Sequence, residues 1–575
     1  MAQVPNGNGI NRILPPQDIQ PRPNPSSTPA PLPDLPEPLQ IPISPSNPTQ
    51  RSEDDDSGII VTDLEFIGNT VFSSEELTKK FISRWQSDRP IAFSKLLQIA
   101  TDVATLYHEK GYKTSGAIVY IPKKTQQDGK GKVEIRIIEG KLTQIDISLL
   151  NSQKQGRLEK YLQSRLGVKP KEPLNVDRLL KALQLLQLDP LIKTISATII
   201  PGTEPANSIL KVEYSSAQSF KPQLSLNNGR SPSVGSFVRE VALRQDNLLG
   251  LGDSLNLGYS NSDGSNGVNI GYSLPINSKN GTLGFGYSKN HSDVIEPPFN
   301  DLDGDGKSPD IESESRSYEV SLRQPLKRTI KNNSYQEFSL GLTGSLRSSK
   351  SFLLDTPFPL SPGAEDDGST RIAALRFSQE FIGQNSQEVI GLRSQFNFGI
   401  NAFNSTINNQ IAGLEAIPDS RFFSWQGQAQ YVRQLAPNSL LLIRGNAQLA
   451  EQTLVSSEQF ALGGLGSVRG YRQDQLLTDN GVFISAEVQL PIVRSIAGDG
   501  VLQLIPFVDY GTTWNSGGRS NPDNQTLSSI GMGLQLLQGN NFRARLDWGI
   551  PLVSVNNRNR TWQENGLYFT LQYNP

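Results

Sequence analysis

Apolar and polar side chains alternate along much of the second half of the chain. Between positions 482 and 490 an aliphatic residue occupies every second position, and Ser485, Glu487 and Gln489 lie between them. Successive side chains of a strand point to opposite faces of a sheet, so this stretch predicts a strand with one apolar and one polar face. The same alternation recurs at 254–260, 441–449 and 567–573.

Sixteen strand candidates of this kind, separated by turns, follow from Phe220 to the end of the sequence, at about 22 residues per strand with its loop. Segments of about ten residues that are apolar on one face and polar on the other are typical of outer-membrane barrels. We therefore predict that residues 216–575 form a transmembrane antiparallel β-barrel of about 16 strands. The alternative is a soluble protein of two packed sheets. It is disfavoured because two-faced strands rarely continue for so long without a hydrophobic second sheet.

Residues 58–140 and 141–215 carry a different pattern, which predicts the order β-α-α-β-β twice. In the first unit Ser73 and Glu76 have the spacing of a helix capping box, and Gly111 is placed to end the second helix. In the second unit Asn175 is placed to cap a helix. Two tandem copies of one α+β unit indicate an array, and the open edge of such a sheet can accept an extended peptide as an additional strand.

The first 57 residues predict a disordered, proline-rich linker. Fourteen of the 38 prolines fall within the first 50 residues, and the segment ends with the acidic run 53–56. Such a segment buries too little apolar surface to offset the entropy lost on ordering. Two roles stay open here: a solvated spacer, or an arm that docks a partner or plugs a pore.

The composition narrows the classes of function. The 575 residues include 54 basic and 56 acidic side chains, no cysteine and two histidines. The balanced charge gives no argument for nucleic acid, the lack of cysteine excludes disulfides and thiolate metal sites, and two histidines disfavour histidine-based catalysis. The sequence contains no run of 18 apolar residues, which a spanning helix would need. It also contains no G-x-x-x-x-G-K-[ST] motif, which would indicate a nucleotide site. The sequence shows no signal peptide, so the barrel interpretation expects a mature chain.

Five short motifs follow one another along the predicted barrel. They are DNLLGLGD at 246–253, VRGY at 468–471, FVDYG at 507–511, SIGMG at 529–533 and RLDWG at 545–549. With these motifs, and with two α+β units before them, residues 58–575 resemble the transporters of two-partner secretion, the haemolysin and filamentous-haemagglutinin exporter type (TpsB). That family belongs to the POTRA-barrel superfamily of outer-membrane assembly proteins. The resemblance implies POTRA-like domains at 58–140 and 141–215.

The resemblance also implies a functional site. Barrels of this family fold the loop that carries VRGY into the lumen, so the loop near 453–480, between predicted strands 11 and 12, is expected to fold inward and to pair Arg469 with Asp509. A guanidinium matches a carboxylate, and a partly dehydrated lumen strengthens the pair. Without the resemblance, Arg469 would be interpreted as an ordinary exposed loop arginine. The residues expected at this loop and wall are Val468, Arg469, Gly470, Tyr471, Phe507, Asp509 and Gly511.

The function implied is export of one large partner exoprotein across the outer membrane of a Gram-negative-type bacterium. The partner would be bound unfolded at periplasmic POTRA domains and threaded through the barrel, which contacts outer-membrane lipids. No cofactor is required, and no nucleotide, nucleic acid or enzymatic activity is expected. The alternative within the superfamily is a β-barrel assembly insertase, whose bacterial members usually carry more than two POTRA domains. A general porin is a third alternative, which the periplasmic modules and the inward loop disfavour.

An acidic loop between predicted strands 5 and 6 fits the calcium-loop pattern D-x-[DN]-x-[DN]-G-x5-E. Oxygen ligands around a turn glycine suit a hard cation. The flanking helices of such sites are missing from the pattern, so an acidic solvated loop is the alternative to a calcium site outside the cell. The expected calcium ligands are Asp301, Asp303, Asp305, Lys307 and Glu312.

Overall fold

A computed structural model describes residues 37–40, 58–81, 89–150, 157–204, 206–304, 306, 309–331, 333–410, 415–494, 500–555 and 561–575. Two compact units are found, residues 35–217 and residues 218–575. The first element along the chain, β1, is the two-residue strand Leu39–Gln40. Among the described residues, no helix combines the length and the apolar composition needed to cross a membrane.

The first α+β domain packs its helices against a four-stranded sheet. Its strands are β2 (Ile59–Ile67), β3 (Pro90–Ile91), β4 (Gly116–Tyr120) and β5 (Lys130–Ile138), and its helices are α1 (Ser74–Phe81), α2 (Phe93–Glu109) and α3 (Lys123–Asp128). The sheet order is β3-β2-β5-β4, with β2 parallel and β4 antiparallel to β5. The predicted capping box is present, since Ser73 Oγ accepts from the Glu76 amide at 3.1 Å and the Glu76 carboxylate accepts from the Ser73 amide at 2.9 Å.

The second α+β domain repeats this arrangement. Its elements are β6 (Lys141–Leu149), α4 (Glu159–Arg165), α5 (Val176–Gln187), β7 (Ile192–Pro201) and β8 (Asn207–Ser216). Asn175 caps α5 as predicted, because its Oδ1 accepts from the Arg178 amide at 2.9 Å. Leucines of the helices and the third strand form the centre of the apolar core, including Leu162, Leu179, Leu183 and Leu210.

The sheet of the second domain has the order β1-β7-β8-β6, so its outermost strand comes from the proline-rich segment. Leu39 and Gln40 lie parallel to Ala197 and Thr198 of β7, and the Pro38 carbonyl accepts from the Ala197 amide at 2.7 Å. The prediction of a wholly disordered linker is therefore wrong at these residues. Leu39 is buried in the domain core, which stabilises a strand that proline-rich composition alone disfavours. The remainder of the predicted linker, residues 1–36 and 41–57, lies outside the described residues.

A closed antiparallel barrel follows, and its wall contains the sixteen strands predicted. The wall strands are β9 (Phe220–Asn227), β10 (Val238–Asp246), β11 (Ser254–Ser262), β12 (Ser265–Pro275), β13 (Thr282–Asp293), β14 (Ile311–Lys331), β15 (Ser334–Leu353), β17 (Ser369–Gln384), β18 (Glu388–Ile400), β19 (Phe423–Ala436), β20 (Ser439–Ala450), β23 (Asn480–Arg494), β24 (Gly500–Trp514), β25 (Thr526–Gln538), β26 (Phe542–Pro551) and β27 (Leu567–Tyr573). Three short strands lie outside this wall: β16 (Thr356–Pro357), β21 (Phe460–Leu462) and β22 (Leu476–Thr478). The barrel closes where β27 pairs with β9, which places Leu571 opposite Leu226.

The two faces of each wall strand differ in chemistry, as the alternation predicts. Along β14 the serines at 313, 315 and 317 are buried toward the lumen, whereas Tyr318, Val320 and Leu322 are 53%, 51% and 42% exposed on the outer face. A polar lumen and an apolar outer band are the reverse of a soluble protein and suit a wall in contact with lipid.

Candidate functional site

The long loop between β20 and β23 is held inside the barrel. It covers residues 451–479 and contains a short 3-10 turn, Ser456–Glu458, and the ribbon of β21 and β22. Because β20 and β23 are the eleventh and twelfth wall strands, this is the loop in which the sequence places VRGY. Its side chains contact strands on well-separated parts of the wall.

Arg469 of the loop forms a bidentate pair with Asp509 of β24, the pair that the resemblance implies. Its Nε donates to Asp509 Oδ2 at 2.8 Å and its Nη2 donates to Asp509 Oδ1 at 2.9 Å, while the Arg469 amide also donates to Oδ2 at 3.1 Å. The guanidinium lies 3.4 Å from the ring centroid of Phe507, the first residue of the same wall motif. Both charged side chains are buried, so dissolved salt weakens this pair much less than it weakens ion pairs on the surface.

Sequence reasoning missed most of the ion network around this pair. Arg469 Nη1 also donates to Glu487 at 3.1 Å and to Asp547 at 3.4 Å, on β23 and β26. Arg545 donates to both oxygens of Glu487, at 3.1 and 2.9 Å, and to Asp547 Oδ2 at 2.7 Å. Two arginines and three carboxylates are thus joined across three wall strands. A signal was present in the sequence, because Arg545 and Asp547 belong to the RLDWG motif and Glu487 is on the polar face of the predicted strand at 482–490.

The other residues of VRGY seat the loop on the wall. Val468 is fully buried in a small apolar cluster with Leu462 and Phe483. The Tyr471 hydroxyl donates to the Ser528 carbonyl at 2.7 Å and accepts from the Val553 amide at 3.0 Å, so it satisfies main-chain groups near the start of β25 and just after β26. The loop main chain is bound too, because the Gly470 amide donates to the Tyr568 hydroxyl, which donates to the Tyr471 carbonyl.

Glycines of the wall motifs make room for these groups. A Cβ on Gly511 would lie 2.5 Å from Leu462 of the loop, and a Cβ on Gly531 would lie 2.2 Å from the Phe507 ring. Any larger residue would displace the loop or the ring beneath Arg469, because packed atoms do not approach so closely. Gly511, the last residue of FVDYG, thus has a direct packing role.

A second ionic anchor, which the sequence did not predict, fixes the start of the same loop. Glu458 is fully buried and accepts from Arg347 of β15 at 2.8 Å and from Arg376 of β17 at 2.7 and 3.1 Å. The main-chain carbonyl of Glu458 accepts from Gln448 of β20 at 2.9 Å. Arg347 and Arg376 lie on the seventh and eighth wall strands, whereas Asp509 lies on the thirteenth. The loop is therefore ionically held at two separate places.

The acidic loop between β13 and β14 only partly matches the predicted calcium ligands. Asp301 and Asp303 lie close to Asp310, whose carboxylate accepts from the amides of Leu302 and Asp303. Glu312 belongs instead to β14 and lies with His291 and Asp293. Asp305 and Lys307 lie outside the described residues. Calcium binding stays a prediction, tested by titrating the full-length chain with calcium chloride beside a D301N/D303N variant.

A closed sixteen-stranded barrel, a preceding tandem of α+β domains and an ion-paired loop in the lumen together define a POTRA-barrel protein of the outer membrane. The profile of the haemolysin secretion/activation proteins ShlB/FhaC/HecB matches residues 206–536, and that of the ShlB-type POTRA domain matches residues 59–140. The chain belongs to the ShlB/FhaC/HecB family. It is an outer-membrane transporter of a partner protein, with periplasmic POTRA domains, and not an enzyme.

Two curated relatives show how far the likeness extends. The outer membrane transporter CdiB of Dickeya dadantii (strain 3937) is 25% identical over 455 residues, which are 75% of this chain and 72% of that protein. The heme/hemopexin transporter protein HuxB of Haemophilus influenzae is 24% identical over 491 residues, 82% of this chain and 80% of that protein.

Solved structures share the fold. CdiB from Escherichia coli superposes with a TM-score of 0.64 at 19% identity and covers 93% of both chains. BamA from Haemophilus ducreyi, lacking POTRA domains 1–3, has a TM-score of 0.50 at 14% identity over 90% of this chain and 100% of that one. These likenesses concern the fold alone, so the one to BamA does not favour the insertase alternative.

Proposed function

We propose that this transporter takes its partner exoprotein as an extended segment added to the edge of a POTRA sheet and passes it unfolded through the barrel lumen. The proposal rests on the pairing of β1 with β7. In the second domain an extended segment, β1, pairs with the free side of β7 and buries Leu39 in the core. An edge of this fold therefore accepts an extended peptide through main-chain pairing and one apolar side chain.

The corresponding edge of the first domain is β4. In each domain the second strand of the repeat lies antiparallel on the third, so β4 holds the place that β7 holds in the second domain. Among the described residues β4 pairs with β5 alone. Ile118 and Tyr120 on β4 are 52% and 38% exposed, which leaves apolar surface beside unpaired main-chain groups. This edge is the proposed site for the partner.

Passage through the lumen requires the loop 451–479 to move. The contacts of Glu458 and Arg469 hold it to two separate regions of the inner wall. The exported chain would displace at least one anchor, and its folding outside the cell would supply direction because no nucleotide motif is present in the sequence.

The partner can be identified by comparing the culture medium and the outer membrane of cells with and without this gene. We expect one large protein to disappear from the medium while membrane barrels keep their abundance. Loss of many barrels from the membrane would instead indicate an insertase and would contradict export of one dedicated partner.

The docking edge is tested by complementing the deletion with the full-length chain. An I118D/Y120D variant should restore the barrel to the membrane but not the partner to the medium. The matched control is L97D, which changes a residue of α2 that is 45% exposed on the same domain. Export by the edge variant at the level of the control would reject the docking edge and leave the transport function standing.

A further inference from the structure

Two adjacent strands present an ordered ladder of side chains on the outer face of the barrel. The chain enters β9 from the periplasmic POTRA domains, so β13, the fifth wall strand, runs outward and β14 returns. Each successive outward-facing pair advances two residues, about 7 Å along a strand and about 5 Å along the membrane normal at the usual tilt. In order from the membrane interior outward, the cross-strand pairs are Leu283–Leu322, Phe285–Val320, Tyr287–Tyr318, Lys289–Arg316, His291–Glu314 and Asp293–Glu312.

The ladder fixes the depth of its basic pair. Tyr287 and Tyr318 contact each other with ring centroids 5.2 Å apart, and tyrosines on the outer face mark the boundary between hydrocarbon and headgroups. Lys289 and Arg316 form the next pair outward, and both are exposed. They therefore lie at the level of the headgroups of the outer leaflet.

No ion pair to Lys289 or Arg316 is found in the described part of the chain. The pair above them is different, because His291 lies 2.9 Å from Asp293 Oδ1 and 3.8 Å from Glu314 Oε1. Positive charge is thus concentrated at one level, and the carboxylates immediately above it would repel an anion placed any higher.

We propose that Lys289 and Arg316 bind the anionic headgroup of one outer-leaflet lipid, whose acyl chains lie along the tyrosine and aliphatic pairs below. The arginine fork and the lysine ammonium suit a phosphate or carboxylate, and the tyrosine rings suit the glycerol or sugar region between headgroup and chains. The site rests on the outer-membrane location of the barrel and not on the proposed docking of the partner. It would hold this side of the barrel, next to the acidic loop 294–310, at a fixed depth.

Native mass spectrometry of the full-length chain in a neutral detergent tests the site. The probes are bisphosphorylated lipid A, dephosphorylated lipid A, dioleoylphosphatidylcholine and inorganic phosphate. We expect one molecule of bisphosphorylated lipid A to bind, and a K289Q/R316Q variant to bind it roughly thirty-fold more weakly, from the usual contribution of two basic side chains near an anionic surface. A K289R/R316K variant should keep the binding.

The control is R433Q/R494Q, which removes two exposed cations at the periplasmic end of β19 and β23. It should bind lipid A as the wild type does. Equal binding by the K289Q/R316Q variant, equal loss in the control, or binding of inorganic phosphate as tight as that of lipid A would overturn the proposal. Heat-modifiable migration in gel electrophoresis checks that each variant keeps a folded barrel. We expect all of them to pass this check, because the charge changes are on exposed side chains.

Discussion

Gly470 of the lumen loop and Gly549 of β26 lie main chain against main chain. A Cβ on Gly549 would fall 2.6 Å from the Gly470 nitrogen and 2.7 Å from the Arg469 carbonyl carbon. Gly470 itself has a φ of 99°, a conformation that side chains with a Cβ rarely adopt. Gly549 of RLDWG and Gly470 of VRGY therefore contact each other directly, and this contact places Arg469 among its carboxylates.

This contact predicts that G549A releases the loop without unfolding the barrel. The clash is with main-chain atoms, which cannot rotate away, so we expect the loop to leave its seat and ion conductance through reconstituted channels to rise. The matched control is G466A, since a Cβ there meets no atom within 4 Å and lies in the same loop. Equal conductance of the two variants would show that the close approach does not hold the loop.

Replacing Arg469 by lysine should distinguish the contribution of its positive charge from that of the guanidinium geometry. Lysine keeps one positive charge but cannot donate in parallel to both oxygens of Asp509 while also reaching Glu487. We expect the R469K channel to open more often than the wild type. R469A should in addition lower the stability of the barrel by about 3–5 kcal/mol, because it leaves buried carboxylates without a compensating charge. Single-channel recording measures the first effect and the temperature of heat-modifiable unfolding measures the second. R494K, at an exposed position of β23, should behave as wild type.

Loss of Glu458 should loosen the start of the loop alone. The E458Q variant removes the charge that balances Arg347 and Arg376, two arginines that are buried in the wall. Breaking such a buried arrangement costs about 3–5 kcal/mol, so amides at 456–462 should exchange with deuterium much faster than in the wild type. E451Q changes an exposed glutamate of the same loop and should leave exchange unaltered. Unchanged exchange in E458Q would mean that the ion cluster contributes little to holding the turn.

The stability of the first POTRA domain should depend on the charge of Glu139. Burial alone would raise the pKa of Glu139, but donors from Thr70, Val71 and Tyr107 outweigh it and hold this pKa below its usual value. A carboxyl with a depressed pKa contributes stability that is present above its unfolded-state pKa and is lost as the pH falls through the folded-state value. The domain should therefore loosen on acidification.

Hydrogen exchange of peptides from 58–140 in the full-length chain measures this dependence. At neutral pH, E139Q should lower the free energy of opening by about 1–3 kcal/mol, because charged hydrogen bonds are replaced by weaker ones, and its dependence on pH should flatten. E109Q, at the exposed end of α2, is the control and should retain the acid sensitivity. An E139Q domain as acid-sensitive as the wild type would assign the effect to another group.

The wall strands were predictable because a two-residue period is a local property of sequence. Lumen and lipid select opposite chemistry at alternate positions, and β14 displays this where Tyr318, Val320 and Leu322 alternate with the polar residues of 317–323. The pairing of Arg469 with Asp509 is different, since no local pattern joins a loop arginine to a strand forty positions away. The family resemblance supplied that pairing, and the packing of the motif glycines gives its physical reason.

Other parts of the site could not be predicted from the sequence. Glu458 has partners 111 and 82 positions earlier in the chain, and nothing in its neighbourhood distinguishes it from a solvated loop glutamate. Leu39 lies in a proline-rich segment whose composition argues against order. Glu312 fits the spacing of a calcium loop, but the pairing of β14 with β13 places it opposite Asp293, and Asp310 binds the loop amides instead.

The two anchors of the lumen loop are sealed from the surrounding solution, and this has a consequence for how the closed state responds to its environment. Dissolved salt screens the interaction between exposed charges, most strongly beyond a Debye length, but screens buried pairs far less. The side chains of Arg469, Asp509 and Glu458 are at most 2% exposed. The lumen loop should therefore block the pore equally well at low and at high ionic strength. We expect it to be displaced only by a molecule that enters the lumen and competes for those charges, such as the exported polypeptide itself.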